Sequence, residues 1–333
     1  MASVVKLDFA RFTHGSDQDK KRFGQELVKA LNKSGFVKLS NHGLSDQEVE
    51  DIMQVSRHFF HLPRSVKARI EVPPGPNPQR GWSGPGSGEY VAGSRKENHE
   101  GMDLNQLMDA REHFDAGPKD DTQFPNRWPS DEEAPGFREK ATKHYETCRS
   151  VALQILEAIE VGLDLPGIFV ERCTKDASEI CINVYPEIKA EKIDECTKRI
   201  WPHTDYGVIT LLFQDRVGGL ELEDQDRPGT FLPVTPTNAG EPIEMIVNAA
   251  DCFERWTNGF IKAGLHRVTV PVDTVEKNGS ISERCSIAFF LKASRDAMVG
   301  PLPPFVSEKN PARFQDMTAL QFQQLRNSSL YKI

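Results

Sequence analysis

From Ile180 to Leu291 the chain is a succession of short β-branched and aromatic runs separated by turn residues: ICINVY, VITLLF, GLELE, TFLPV, IEMIVN, LHRVTV and RCSIAFFL. Runs this short cannot bury a core alone and must pair with one another. Strands at this spacing predict an antiparallel sandwich or barrel of jelly-roll type. The sequence before them is helical with one strand. Ser16 caps a helix that carries Phe23, Leu27, Val28 and Leu31 on one face and stops at Gly35. Phe36 to Leu39 reads as a strand, followed by the turn Asn41-His42-Gly43. Ser45 to Glu48 is a capping box that opens a second helix, with Val49, Ile52, Met53 and Phe60 inward. Residues 73–136 are rich in Pro and Gly and read as one irregular stretch, the length of a lid or binding loop. Phe137, Ala141, Tyr145, Cys148, Ala152, Ile155 and Ile159 then mark a long helical stripe, and Leu320, Phe322 and Leu325 an outer helix near the end.

The expected fold is mainly β with helical elaboration. A double-stranded β-helix (jelly-roll) core over residues 176–297 is flanked by an N-terminal helical region, 1–175, and a C-terminal helical tail, 298–333. Together they form one domain over 1–333. No repeat or linker divides the 333 residues. The net charge of −8 is spread along the chain with no basic block, so neither nucleic acid nor an anionic membrane is an expected partner. No obligate protein partner is evident. The first residues lack an apolar core of signal-peptide length, and no run is long enough to cross a membrane. Six cysteines are scattered without a CxxC pair, as expected of reduced thiols in the cytoplasm.

One polar pair interrupts this apolar texture. In WPHTDYGVITLLFQD, His203 and Asp205 stand at the mouth of an apolar strand. Burying both without a partner would cost several kcal/mol. Residues i and i+2 of a strand face one side, so an imidazole nitrogen and a carboxylate oxygen can meet at one point. In the strand-rich half the one other histidine is His266, again a polar residue inside an apolar strand. Two histidines and one carboxylate with open positions form the facial triad of non-haem Fe(II) oxygenases. An HxD pair alone is a weak signal, and a lone strand histidine is more often a hydrogen-bonded core residue. The combination carries more weight.

Downstream, Arg284-Cys285-Ser286 opens the strand IAFFL. A buried arginine there needs an anionic partner, and its fork suits a carboxylate. Ser286 shares its face and adds a hydroxyl. Asn183 and Tyr185, at i and i+2 of the strand CINVY, offer an amide and a phenol. Iron plus a receptor for a small dicarboxylate is the resulting expectation.

These motifs resemble the isopenicillin-N-synthase-like branch of the Fe(II)/2-oxoglutarate-dependent dioxygenases. The resemblance runs over nearly the whole chain: GFVKLSNHGL, NVYP, HTDYGVITLLFQDRVGGLEL, VNAADCFERWTNGFIKAGLHRVTV and RCSIAFF. In detail the chain is similar to fungal members of the thymine-7-hydroxylase type. The resemblance implies that His203, Asp205 and His266 bind Fe(II). It implies that Arg284 and Ser286, helped by Tyr185, bind the distal carboxylate of 2-oxoglutarate, with Asn183 near the iron. One departure is Ala250, where the family usually has glycine.

The implied reaction couples O2-dependent decarboxylation of 2-oxoglutarate, to succinate and CO2, with oxidation of a small-molecule substrate, in secondary metabolism. Hydroxylation is the leading outcome, ahead of desaturation, ring closure or ring expansion. The alternatives are an oxidase of the same fold that uses no 2-oxoglutarate and a non-catalytic jelly-roll binding protein. Arg80, Trp82, Arg111, Phe114 and Phe290 are expected in the pocket wall. The glycine-rich stretch from Gln79 to Gly93 is expected to act as a lid with Trp82 as its apolar plug.

Overall fold

Period-two alternation decides what each strand of the large sheet presents to its two sides. In Ile209–Gln214 (β10), Ile209, Leu211 and Phe213 face an apolar layer of helices, whereas Thr210, Leu212 and Gln214 lie on the opposite face. The computed structural model describes residues 4–85, 108–189, 197–270 and 279–330. Within them β10 is flanked by two antiparallel neighbours, Met245–Ala249 (β13) and Arg284–Leu291 (β16). Next to β16 comes Glu179–Tyr185 (β6), then Glu112–Ala116 (β5), and Gly81–Ser83 (β3) at the edge. Beyond β13 lies Phe36–Ser40 (β2), with Lys6–Asp8 (β1) parallel to it.

A smaller four-stranded sheet faces this one, in the order Phe231–Pro233 (β12), Leu220–Glu223 (β11), His266–Val268 (β14) and Ile200–His203 (β9). Two short ladders complete the strands. Met108–Asp109 (β4) pairs with Thr197–Lys198 (β8), and Ile188–Lys189 (β7) pairs with Ser280–Ile281 (β15). This is the expected jelly roll with helical elaboration.

The helices cover the outer face of the large sheet. After a short turn of helix, Ala10–Thr13 (α1), come Asp17–Ser34 (α2) and Asp46–Phe60 (α3). Each of these two longer helices opens with a capping box, from Ser16 with Asp19 and from Ser45 with Glu48. The turn Arg64–Lys67 (α4) precedes the long helix Phe137–Leu163 (α5), whose buried stripe is the one the sequence marks. Tyr145 of α5 meets Phe289 of β16 edge-on, with ring centroids 5.1 Å apart. Burial of each such large side chain contributes about 1.5–3 kcal/mol. The gap between the two sheets holds a second, smaller apolar cluster of Phe36, Tyr185, Ile200, Leu220, Leu222, Ile246 and Val268.

Four expectations fail in the stretch 73–136. It is not simply irregular, because β3 and β5 extend the large sheet at its edge. Trp82 is not a plug. It is 1% exposed, packs in the helix-side core and donates through Nε1 to Glu112 at 2.7 Å. Strand parity puts Phe114 on the same outer face, where it packs with Phe59, Phe137 and Trp128. Arg80 is also no pocket wall. It is buried in ion pairs with Glu179 and Asp121. Residues 86–93 of the glycine-rich stretch lie outside the described residues.

Two further helices, Asp251–Trp256 (α6) and Ala319–Leu330 (α7), pack near the mouth of the sandwich. Ala250 enters α6 with φ −119° and ψ 176°, an extended conformation open to any residue, so the departure from glycine costs nothing there.

Candidate active site

His203 closes strand β9, and His266 opens the neighbouring strand β14. The two are direct cross-strand partners, which is how residues far apart in sequence come to face one point. Asp205 is not on the strand as expected but in the turn that follows it. That turn still brings Oδ1 to 3.8 Å from His203 Nε2 and 3.9 Å from His266 Nε2. One ligand atom from each of the three residues lies within 4.8 Å of the others.

Hydrogen bonds from behind fix all three groups. The Nδ1–H of His203 donates to the Trp201 carbonyl at 2.8 Å, and that of His266 to the Gly264 carbonyl at 2.9 Å. These bonds select the tautomer that leaves each Nε2 lone pair aimed at the common point. Gly264 fits here because it carries no side chain; a Cβ there would stand 2.1 Å from Phe36 Cε2. The other oxygen of Asp205, Oδ2, accepts from Thr210 Oγ1 at 2.6 Å and from Asn248 Nδ2 at 2.8 Å.

The electrostatics match a metal-ligand set. Burial, then His266 beside it, lowers the His203 pKa to about 3, so its imidazole is neutral at physiological pH. The charge of Arg111 acts in the same direction. Burial pushes the Asp205 carboxyl up, but the two histidines and the bonds from Thr210 and Asn248 hold it below the ordinary range. Two imidazoles, one carboxylate and no fourth side-chain ligand among the described residues suit a divalent metal with open coordination positions.

Arg284 and Ser286 lie on β16 with their side chains on the same inner face and line the same cavity. Arg284 is 1% exposed. It donates to Ser286 Oγ at 3.0 Å and to Gln214 Oε1 at 2.9 Å, and its guanidinium stands 4.8 Å from the centroid of the Tyr185 ring. No carboxylate pairs with it among the described residues, and its Nε has no hydrogen-bond partner there. Arg199 approaches the Tyr185 ring as well, at 5.7 Å, and burial together with Arg284 lowers its pKa to about 10. A buried guanidinium held only by neutral groups is a receptor for an anion.

The remaining candidates divide. Asn183 lines the cavity, and its Oδ1 accepts from Arg111. Phe290 and Arg111 line it as expected. Sequence reasoning missed Thr210 and Asn248, although the two face each other in register across β10 and β13. It also missed His113 and Asp115, a buried pair 3.3 Å apart. Their signal was the alternation Arg111, His113, Asp115, a period-two pattern hidden in a stretch that read as irregular.

The turn that carries Asp205 is braced from outside. Asp251 N donates to the Asp205 carbonyl at 2.8 Å. Arg326 of α7 donates to the Thr204 carbonyl at 3.3 Å and lies 3.4 Å from the Asp251 carboxylate. One residue on, Asn327 donates to the carbonyls of Pro76 and Asn77, both at 3.0 Å.

Comparison with known proteins agrees with this geometry. Residues 177–293 match the model of the 2OG-Fe(II) oxygenase superfamily, and residues 5–131 match the non-haem dioxygenase in morphine synthesis N-terminal model. The chain is 43% identical to the 2-oxoglutarate-dependent dioxygenase ecdK of Aspergillus rugulosus, over 99% of this chain and 100% of the relative. It is 37% identical to the proline hydroxylase buaE of Petromyces alliaceus, over 98% and 99% of the two chains. The crystal structure of the full-length thymine 7-hydroxylase of Neurospora crassa with alpha-KG and thymine superposes with a TM-score of 0.84 at 26% identity, covering 98% of this chain and 97% of that one.

Proposed function

The chain belongs to the 2OG-Fe(II) oxygenase superfamily, and from that premise we propose that His203, Asp205 and His266 hold its Fe(II) and that Arg284 and Ser286 seat its cosubstrate. The protein is a 2-oxoglutarate-dependent dioxygenase that oxidises a small organic molecule, and its cofactors are Fe(II), 2-oxoglutarate and O2. The single observation that carries the site assignment is the convergence of two Nε2 atoms and one carboxylate oxygen beside a buried arginine with no acidic partner among the described residues.

Each residue has a definable task. The bonds of Trp201 and Gly264 hold the imidazoles in register, and Thr210 with Asn248 leaves Asp205 one oxygen for the metal. Arg284 takes the far carboxylate of 2-oxoglutarate in a charge-assisted pair, with Ser286 and Tyr185 beside it, and so sets the keto-acid end near the triad. Asn183 lines the same cavity. Bound Fe(II), with 2-oxoglutarate and O2, supplies the oxidising chemistry, which releases succinate and CO2 and most simply hydroxylates the substrate. The walls of Leu212, Leu220, Val268 and Phe290 keep water from the reacting end.

The catalytic core is assigned to residues 176–297, supported by 1–175 and 298–333. The setting is secondary metabolism in the cytoplasm. No helix of the described residues is long and apolar enough to cross a membrane, and the five described cysteines are free and buried. The relative named a proline hydroxylase makes small amino acids the first substrates to try. The test is O2 uptake with succinate measured in parallel, on the wild type and on His203→Ala and Asp205→Ala. Both variants lose bound iron and succinate formation while retaining cooperative unfolding. Full turnover in purified Asp205→Ala, or turnover without 2-oxoglutarate, overturns the assignment.

A further inference from the structure

Arg199 comes immediately before β9, the strand that ends on His203. Its side chain is 2% exposed. Nη2 donates to the carbonyl of Ser282 at 2.8 Å, two residues before Arg284, and so fixes the guanidinium beside the start of β16. The guanidiniums of Arg199 and Arg284 stand 5.7 Å and 4.8 Å from the centroid of the same Tyr185 ring. The small sheet thus carries a metal ligand at one end of β9 and a buried cation at the other, and that cation meets the one supplied by the large sheet.

Neither cation has a carboxylate partner among the described residues. The carboxylate whose charge reaches Arg199 is Asp215, and it is already engaged, by Arg57 at 2.7 Å and by the Cys285 N–H at 2.6 Å. Burial, then Arg284, lowers the Arg199 pKa to about 10, which leaves it protonated at neutral pH. Three buried donor atoms at this end also lack an acceptor among the described residues: Arg199 Nη1, Arg284 Nε and Gln214 Nε2. Orphaned buried donors are rare in folded proteins, and a purely structural strut would have its donors satisfied. Two like charges held against one ring are costly by themselves and gain most from a ligand that brings a negative charge to that end.

We infer that Arg199 is a specificity-determining residue of the cosubstrate seat: its charge, placed against the same Tyr185 ring as Arg284, selects keto acids that carry a second carboxylate at their far end. The inference rests on the dioxygenase site proposed above. Arg284 makes the contact with that carboxylate, whereas Arg199, outside the cavity lining, acts through its charge. A unit charge roughly 10 Å from an ion, at an effective dielectric of about 20, changes the ion's affinity by about tenfold.

The test uses full-length protein loaded with Fe(II) under argon. 2-Oxoglutarate is titrated beside 2-oxopentanoate, the keto acid with a methyl group in place of the far carboxylate, and dissociation constants are read by calorimetry. The wild type prefers 2-oxoglutarate by about a hundredfold or more. Arg199→Gln binds 2-oxoglutarate about tenfold more weakly and 2-oxopentanoate within about threefold of the wild type, so the preference narrows. Arg199→Lys keeps the charge and stays within about threefold of the wild type for both. Arg199→Met serves as a second neutral replacement, and unfolding of each variant is followed without ligand. The inference is overturned if the neutral variants lose both keto acids equally, if they bind 2-oxoglutarate as the wild type does, or if Arg199→Lys is as weak as Arg199→Gln. If neither neutral variant folds, Arg199 is a strut and the inference is equally overturned. If the wild type neither binds 2-oxoglutarate nor releases succinate once O2 is admitted, the site assignment itself has failed, and this inference with it.

Discussion

Replacing Arg284 with methionine separates a binding arginine from a structural one. In the ligand-free protein this guanidinium is 1% exposed and rests on Ser286, Gln214 and the Tyr185 ring, with no carboxylate among the described residues. Removing it forfeits two hydrogen bonds of about 1 kcal/mol each but also relieves a buried charge that costs several. Arg284→Met therefore destabilises the ligand-free protein by less than about 1 kcal/mol, although an ordinary core truncation such as Phe289→Ala costs about 3–5 kcal/mol. Binding behaves in the opposite way. A cosubstrate carboxylate left unpaired in the dry site loses about 3–5 kcal/mol, or two to four powers of ten in the dissociation constant. At a concentration one hundred times the wild-type constant, 2-oxoglutarate stabilises the wild type by about 2.7 kcal/mol. With a hundredfold weaker constant the same concentration stabilises the variant by only about 0.4 kcal/mol. Denaturant titrations of both proteins with and without 2-oxoglutarate, loaded with Fe(II) under argon, give all four numbers. If Arg284→Met melts like a core deletion and still takes 2-oxoglutarate with near-wild-type affinity, the guanidinium is a strut and the reasoning fails.

Other outcomes follow from the same geometry. Asn248→Leu leaves Asp205 Oδ2 held by Thr210 alone and weakens Fe(II) binding by about ten- to a hundredfold, measured by competition with a chelator, while the fold survives. Trp82→Ala removes a core indole and its bond to Glu112; it costs about 3–5 kcal/mol of stability, and succinate and product stay coupled in whatever folds. Uncoupling at full stability would restore the lid reading. For Glu179, burial pushes the carboxyl up, but Lys292 and Arg80 outweigh it and hold the pKa at about 2. A folded pKa below the ordinary 4.5 contributes stability that is complete above 4.5 and lost as pH falls toward 2. Urea midpoints of Glu179→Gln therefore vary less than those of the wild type across that window.

The legible parts of this protein are those in which side-chain type and local period agree. The jelly-roll strands alternate apolar faces between turn residues, and His203, His266 and Arg284 stand out because polar groups interrupt apolar runs. Asp205 reaches the expected point from a different local structure, because a turn and a strand can both bring i and i+2 to one side. β3 and β5 were illegible for a physical reason. They are short strands at or beside the sheet edge, and their inward faces carry Ser83, His113 and Asp115 rather than apolar side chains, so no hydrophobic period marks them. Trp82 misled because an aromatic between glycines reads as a loop anchor, whereas its neighbour across the ladder, Phe114, turns it into the helix-side core. Asn248 could have been found only by knowing the register that sets it against Thr210.

Residues of α7 leave the ribosome after every strand of both sheets, yet Arg326 clasps the turn between His203 and Asp205, and Asn327 clasps the segment at Pro76 and Asn77. The sandwich can thus form before its reactive end is braced. A nascent chain firmly holds the turn of Asp205 only once α7 has been made, and a molecule clipped by a protease between Asp316 and α7 would keep its sheets while losing both clasps. Helix α7 thus acts as a late seal on the turn between His203 and Asp205.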